Sequence, residues 1–441
     1  MIQLSDHFGY PKLLRFTAPT IGTMILMSIY GVVDGFFVSN FVGTIQLAAL
    51  NFLFPPYMLL TFIGMLFGTG GSALIGKTLG EGKRQKACEI FSILVYVSIF
   101  IGIVLGIFGI IYVSDIAKFL GATEEILKYG VSYAKIILLA LPFMILQMQF
   151  ESYFSTAEKP QLGFYVTLAA GITNVTLDAL FIIGFDWGLE GAALATAFSQ
   201  FIGGALPLIY FSRKNSSLLR LTRTHLDLFA LFKTFTNGIS ELISSLSMSI
   251  VGMLYNWQLL KYAGTDGVAA FAVIMYVTMI FESAFLGYSM GITPVISYHY
   301  GAKNYSELKS LLRKSFVVIA FFAVMMFISA EIFAQPLTKI FISSDENLLK
   351  MTVHAFRIYS FLFLLLGFAV FTSAFFTGLN NGFISALISI LRSLVFEVIA
   401  ILTFPLIFGI DGIWFSMVAA NVIAVIVSVY LLKVNQKQYK Y

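Results

Sequence analysis

Charge and cysteine are scarce in this sequence. Only 11% of the 441 residues are charged, whereas 59% are hydrophobic; a soluble domain has roughly 25% charged residues. No soluble fold could bury this much apolar surface, so the composition predicts an all-α protein that crosses the membrane many times. The single cysteine, Cys88, excludes a disulfide within the chain and disfavours a cysteine-ligated metal site.

Long apolar runs separated by polar turns predict about twelve transmembrane helices, each near the roughly 20 residues needed to cross a bilayer. The first run has no small-residue cleavage site of a signal peptide, so we expect it to remain as the first span. The predicted spans are 14–40, 46–78, 87–112, 125–156, 161–184, 189–212, 226–256, 266–299, 307–332, 346–377, 383–408 and 411–434.

The positions of Lys and Arg predict the orientation. Of the 27 Lys and Arg residues, 19 fall in loops or span ends on the side of the N-terminus, 5 fall in loops or span ends on the other side, and 3 lie in the interior of spans. Basic loops stay in the cytoplasm, so we expect both termini to be cytoplasmic. The net charge of +5 therefore reflects topology and does not indicate nucleic-acid binding.

The chain repeats itself at a constant shift of 221 residues. "GTGGSALIGKTLGEG" (68–82) corresponds to "SMGITPVISYHYGAK" (289–303), "SIYG" (28–31) to "SIVG" (249–252), "GT" (43–44) to "GT" (264–265), and "GLEG" (188–191) to "GIDG" (409–412). Six helices per copy, both entering from the same side, predict two lobes related by a pseudo-two-fold axis along the membrane normal. The predicted lobes are residues 1–212 and 226–441, joined by a basic linker at 213–225.

Several polar residues inside the spans break this repeat. The shift relates Asp34 to Tyr255 and Asp178 to Ile399, and it likewise pairs Asn174 with Val395 and Thr196 with Met417. The repeat itself therefore does not require these groups. A carboxylate at the centre of a membrane helix costs roughly 2.5–3.5 kcal/mol on insertion scales, which favours a function specific to the first lobe.

These first-lobe residues lie at one depth. At 1.5 Å per residue, Asp34, Asp178 and Thr196 are roughly 9–11 Å below the predicted outer surface. The pairs Tyr30–Asp34 and Asn174–Asp178 have i,i+4 spacing, which puts each pair on one helix face. Hard oxygen donors in this arrangement predict a cation site, in which the two carboxylates share a proton or in which Asp34, Asn174, Asp178 and Thr196 hold Na⁺. The alternative is that each acid pairs with a buried base, for which Lys135 is the main candidate in this lobe.

Four further charged residues lie inside spans and are candidates for the substrate path. Glu282 and Arg392 are level with each other in the second lobe, so we expect them to form a pair. Glu397 is five residues beyond Arg392, which places it off the face of Arg392 in a regular helix and free to meet a cationic substrate. Glu151 lies near the inner end of the fourth span.

Four segments resemble the MATE multidrug-efflux transporters, and the resemblance covers essentially the whole chain: "VVDGFFV", "ALIGKTLGEGKRQKA", "NVTLDALFI" and "PVISYHYGAKNYSELK". Tyr30, Asp34, Asn174, Asp178 and Thr196 look like the DinF-type cation site, while "NGISEL" (237–242) and "YHYGAKN" (298–304) are similar to MepA-like members. The resemblance implies two lobes forming a V, and antiport of organic cations against H⁺ or Na⁺ in the bacterial cell membrane.

The resemblance also suggests a hinge residue and one difference from other members of the family. Pro19 matches the helix-one proline whose bend the family links to protonation, so it is a hinge candidate. The acids that NorM-like members carry inside helices seven and ten are expected to be absent, because Glu241 and Glu346 are placed at helix entrances.

The sequence thus predicts a secondary antiporter that exports organic cations. The alternative is a flippase for a lipid-linked saccharide, but a pyrophosphate substrate needs basic residues in the cavity, and acids outnumber bases in these span interiors. A passive channel is disfavoured by the two-lobe repeat. No phosphate-binding loop, metal-ligand spacing or nucleophile motif occurs, so we expect no enzyme activity and no cofactor besides the coupling ion. The expected partners are small organic cations and the lipid bilayer, with no nucleic acid, and we expect a monomer.

Overall fold

The first half of the chain folds into six long helices. The computed structural model describes residues 2–42, 44–119, 121–342 and 345–441. We call this half the first lobe. Its helices are α1 (Tyr10–Phe41), α2 (Thr44–Gly80), α3 (Arg84–Phe119), α4 (Glu124–Thr156), α5 (Pro160–Asp178), which continues as a π-helix (Ala179–Gly184), and α6 (Gly188–Ser212).

The second half forms the second lobe, whose helices are interrupted by a backbone reversal, a bend and a π-helix. The helices are α7 (Leu228–Gly301), α8 (Tyr305–Phe341), α9 (Glu346–Ser360), α10 (Phe363–Gly378), α11 (Gly382–Ile390), a π-helix (Leu391–Val395), α12 (Phe396–Phe408) and α13 (Ile410–Tyr439). The backbone of α7 reverses at Gly264, with φ 63° and ψ −151°, so α7 makes two crossings, α7a (228–263) and α7b (265–301). Helices α9 and α10 form one span bent by 47°.

These elements confirm the predicted all-α architecture of two six-helix lobes. Ten of the helices in the described ranges are long and apolar enough to cross a membrane, and the bent α9–α10 pair adds another span. Because α7 makes two crossings, the described ranges contain twelve spans. The largest difference at a span end is in α8, which continues to Phe341 although polar residues suggested an end near 332. One of these, Glu331, accepts a hydrogen bond from Ser360 Oγ at 2.6 Å, so its charge does not end the helix.

The predicted repeat is visible in the backbone. Gly188 and Gly409, which are equivalent by the shift, have φ of 53° and 59° where α6 and α13 begin. Gly82 and its equivalent Lys303 likewise have φ of 77° and 57° in the turns after α2 and α7. Left-handed backbone favours glycine, which explains why glycines carry the sequence signal. Gly43, the equivalent of Gly264, lies outside the described residues.

The two lobes meet where repeat-related glycines bring helix backbones together. A Cβ atom on Gly80 of α2 would overlap the carbonyl oxygen of Tyr298 in α7b, and one on Gly301 of α7b would overlap the carbonyl oxygen of Lys77 in α2. Such a reciprocal contact is what a pseudo-two-fold axis between α2 and α7b requires. It lies on the side of the molecule that carries the 213–227 segment, which we call the linker side.

Adding a methyl group at this contact should weaken the fold. We expect Gly301→Ala to lower the free energy of unfolding by about 1–3 kcal/mol, because the two backbones must separate to admit the Cβ atom. Gly252→Ala is the matched control: Gly252 is also in α7, and a Cβ atom there would have no neighbour within 4 Å. Thermal unfolding in detergent measures both variants. Equal melting temperatures for the two variants would contradict this close packing.

Candidate cation site

The first lobe contains two acidic side chains that interact electrostatically, one buried and one half-buried. Asp34 lies in α1, and Asp178 is the last residue of α5. Asp178 is fully buried and its carboxylate interacts with that of Asp34. Both carboxylate oxygens of Asp178 and Oδ1 of Asp34 are inaccessible and have no hydrogen-bond partner in the described part of the chain. Buried polar atoms are nearly always paired, so this arrangement leaves three acceptors for a bound proton or cation.

The helix changes its winding at this cluster. The π-helix Ala179–Gly184 begins directly after Asp178, and Phe185 N–H donates to Leu180 O in the i→i+5 pattern. Such π-helical turns occur frequently at functional sites. Asn174, one turn before Asp178, is buried, and Thr196 is half-buried in the neighbouring α6. The predicted residues Asn174 and Asp178 therefore lie on consecutive turns at the end of α5.

Three residues of this cluster were not predicted from the sequence. Tyr57 of α2 and Tyr133 of α4 both interact electrostatically with Asp34. Gln200 of α6 is buried, and its Nε2 donates to Tyr57 Oη at 2.7 Å. The sequence prediction rested on acids inside spans and on their i,i+4 neighbours. These three residues are neutral and lie on other helices, so only their polarity inside apolar spans marks them in the sequence.

Tyr30 belongs to a different contact from the one predicted. Its hydroxyl donates to the carbonyl oxygen of Thr167 at 3.1 Å, and its ring covers Gly171, where a Cβ atom would overlap it. Tyr30 and Asp34 share a helix face, but a long side chain leans toward the N-terminus of its helix. This direction carries the phenol of Tyr30 away from Asp34, so in this conformation Tyr30 joins α1 to α5.

Two other predicted residues lie closer to the linker side. Glu151 of α4 is buried, and its Oε1 has no partner among the described residues. Helix α1 continues through Pro19, whose carbonyl oxygen accepts from Thr23 Oγ1 at 3.0 Å. The hinge role of Pro19 stays a prediction.

The second lobe has its own charged cluster, with the predicted pair at its centre. Glu282 Oε1 lies 3.9 Å from Arg392 Nη1. Arg392 belongs to the π-helix Leu391–Val395, so each lobe has a π-helix beside its buried charges.

The structure corrects two expectations about the acids near Arg392. Glu241 does not lie at a helix entrance: it is more than three turns inside α7 and lines a cavity together with Arg392. Glu397 was placed off the face of Arg392, but the two interact electrostatically. The i→i+5 winding of the intervening π-helix brings residues five apart closer than a regular helix does.

The pair of Glu282 and Arg392 should show energetic coupling. In a double-mutant cycle with Glu282→Gln and Arg392→Gln, we expect a coupling free energy of about 1 kcal/mol or more, because each single change removes the closest ionic contact of the remaining charge. Chemical unfolding of the four proteins in detergent measures this quantity. Strictly additive effects would show that the pair contributes nothing to stability.

Two six-helix lobes, related by a pseudo-two-fold axis and each holding buried charges within its membrane helices, define a two-lobed membrane transporter. The MatE family model matches residues 19–180 and again residues 242–403. The chain therefore belongs to the MatE family, and each of the two matched segments lies within one of the two lobes.

Relatives and solved structures agree with this assignment over nearly the full length. The multidrug export protein MepA of Staphylococcus saprophyticus is 26% identical over 429 residues, covering 96% of this chain and 94% of the relative. An outward-facing multidrug resistance MATE family transporter of the MOP superfamily superposes with a TM-score of 0.93 at 23% identity, covering 98% of this chain and 97% of that one. A MATE structure in complex with MaL6 gives a TM-score of 0.94 at 22% identity, covering 98% of both chains.

Proposed function

We propose that this protein exports organic cations from bacterial cells in exchange for H⁺ or Na⁺ that binds at Asp34 and Asp178. The observation that carries the proposal is the set of three buried carboxylate oxygens without partners. Buried carboxylates in this state attract a proton or a hard cation. Asn174, one turn before Asp178 on α5, and Thr196 of the neighbouring α6 offer amide and hydroxyl oxygens for Na⁺.

The charges of both lobes support a cationic substrate. Acids exceed bases in the first-lobe cluster and also around Arg392 in the second lobe. The named relative is a multidrug export protein, which agrees with a wide range of small substrates. Since each lobe contributes its cluster from the same chain, we propose that a monomer is sufficient.

The conformation corresponds to one end of the transport cycle. The lobes touch at Gly80 and Gly301 on the linker side, and the excess of Lys and Arg in the loops of that side favours a cytoplasmic location. We therefore propose that the cleft between the lobes faces outward here. An ion entering from outside would neutralise the Asp34–Asp178 pair, and the resulting change in α1 and α5 would favour release of the substrate to the outside.

Efflux from intact cells tests this function. Cells that lack their own efflux pumps should accumulate less ethidium when they express the protein, and a protonophore or removal of external Na⁺ should abolish the difference. Equal accumulation with and without the protein, at verified expression in the membrane, would contradict the proposal.

A further inference from the structure

Acidic groups outnumber basic groups around Arg392. Arg392 interacts electrostatically with Glu241, Glu282 and Glu397, so one guanidinium faces three carboxyl groups. We call these four residues the Arg392 cluster. Its closest ion pair, at 3.9 Å, is longer than a charge-assisted hydrogen bond of roughly 2.7–2.9 Å. Arg392 itself is 9% exposed, and its Nε has no hydrogen-bond partner in the ranges that the structure describes.

The Arg392 cluster borders a cavity between the lobes. Arg392 and Glu241 line this cavity together with Thr69 of the first lobe. Hydroxyl groups of the second lobe, among them Ser289 and Thr293, complete the polar part of the wall. A compound held in this cavity therefore meets the carboxylate of Glu241 and the guanidinium of Arg392 at the same place.

We propose that the Arg392 cluster binds the zwitterionic end of transported compounds. The carboxylate of Glu241 binds the ammonium or iminium group, Glu282 and Glu397 add negative charge behind it, and the guanidinium of Arg392 binds a neighbouring carboxylate. The inference rests on the proposed efflux function and adds to it a residue that determines specificity. Guanidinium recognises carboxylate through paired N–H groups, so Arg392 determines which compounds are accepted and the acids supply attraction for all cations.

Two dyes that differ only at the carboxyl group test this role. Rhodamine 110 is a zwitterion at neutral pH, and rhodamine 123 is its methyl ester and a cation. Fluorescence polarisation with the purified protein in lipid nanodiscs should show that Arg392→Gln weakens rhodamine 110 binding by about tenfold, as loss of a charged hydrogen bond predicts. The same variant should bind rhodamine 123 as tightly as the wild type or more tightly, because a repelling charge is gone.

Other variants separate this role from a structural one. The double variant Arg392→Gln with Glu282→Gln removes the ion pair as a unit and should show the same selective loss of rhodamine 110. Arg392→Lys keeps the charge and should retain part of the binding. Equal weakening of both dyes in Arg392→Gln and in the double variant would overturn the proposal. Wild-type protein that binds rhodamine 123 but never rhodamine 110 would also overturn it, and failure to bind either dye would contradict the efflux function itself.

A second, independent observation concerns the segment before α1. Residues 2–9, which we call the strap, run along the linker side and bond to both lobes. The backbone N–H of Leu4 donates to Glu158 Oε1 at 2.6 Å in the turn between α4 and α5. Glu307, at the start of α8, accepts from Phe8 N–H at 2.9 Å and contacts His7 Nδ1 at 2.6 Å.

Further contacts fix the strap in place. Lys314 Nζ donates to the carbonyl oxygen of Phe8, and the side chains of Leu4 and Phe8 are fully buried. His299, near the end of α7b, is buried against the backbone of the strap. Since α1 and Glu158 belong to the first lobe while Glu307, Lys314 and His299 belong to the second, the strap bonds to both lobes only while they are close on the linker side.

We infer that the strap holds the linker side closed and is released when the lobes part there. Contacts made in one conformation but not in the other shift the equilibrium toward the first. The shift-related equivalent of Glu307 in the first lobe is Lys86, so the repeat does not require an acid at this position.

Distance measurements across the linker side test the strap. In a Cys88→Ser background, spin labels at Lys86→Cys and Lys309→Cys report the separation of the lobes in nanodiscs. We expect Glu307→Ala to raise the population at long distance by at least about twofold, and His7→Ala to raise it less. Glu346→Ala, the same change in the first turn of α9, is the matched control. A Glu307→Ala distribution equal to that of the wild type and the control would overturn the inference.

Discussion

Asp34→Asn should abolish ion-coupled efflux while leaving the protein folded. The amide has the shape of the protonated carboxyl group, so the variant imitates the neutral state throughout the cycle. Removing this half-buried charge should not destabilise the lobe, because it has no cationic partner among the described residues near it. We therefore expect wild-type amounts in the membrane and ethidium accumulation at the level of cells without the transporter.

Asp178→Asn should have the same effect, because the two carboxylates interact and would share one ion. Asp115→Asn provides the matched control: this acid belongs to the same lobe, on α3, but is exposed. It should keep full efflux. Wild-type resistance to cationic drugs in Asp34→Asn cells would show that this cluster does not couple the ion to transport.

Single-cysteine labelling should give an all-or-none result for the proposed orientation. With Cys88→Ser as background, an impermeant maleimide added to intact cells should label Glu190→Cys and Glu346→Cys, which lie in exposed first turns on the side opposite the linker. Lys83→Cys and Lys214→Cys, exposed on the linker side, should react only after the cells are opened. The physical reason is the retention of Lys and Arg loops in the cytoplasm.

The reverse labelling pattern would show that the topology is inverted. It would place the linker side outside, and the conformation described here would then be open toward the cytoplasm. A second protein with a cysteine known to be cytoplasmic is the control for membrane integrity. It should remain unlabelled in intact cells, and its labelling together with all four positions would indicate damaged membranes.

The arrangement of spans and lobes could be predicted because its causes are local. Membrane helices need long apolar runs. The repeat is recognised by glycines that the backbone geometry requires. Gly188 and Gly409 start helices with left-handed backbone, while Gly80 and Gly301 let two helices touch. Each requirement acts within a few residues or between equivalent positions, so a constant shift in the sequence reveals it.

The details of both clusters could not be predicted because they depend on departures from regular helix geometry. A π-helix changes which residues share a face, and Glu397 was therefore misplaced relative to Arg392. Tyr30 was misplaced because its side chain direction carries its hydroxyl to Thr167. Tyr57 and Gln200 come from helices far apart in sequence, and only the folded lobe brings them together.

The most direct test of the account is transport by the purified protein in liposomes under one imposed gradient at a time. With ethidium as substrate, the account predicts uptake or release driven by a pH gradient or by a Na⁺ gradient, opposite in direction to the driving ion. The Asp34→Asn protein should show no movement under either gradient, and Asp115→Asn should behave as the wild type. Ethidium movement that ignores both gradients, or that persists undiminished in Asp34→Asn, would contradict ion-coupled export through the first-lobe carboxylates.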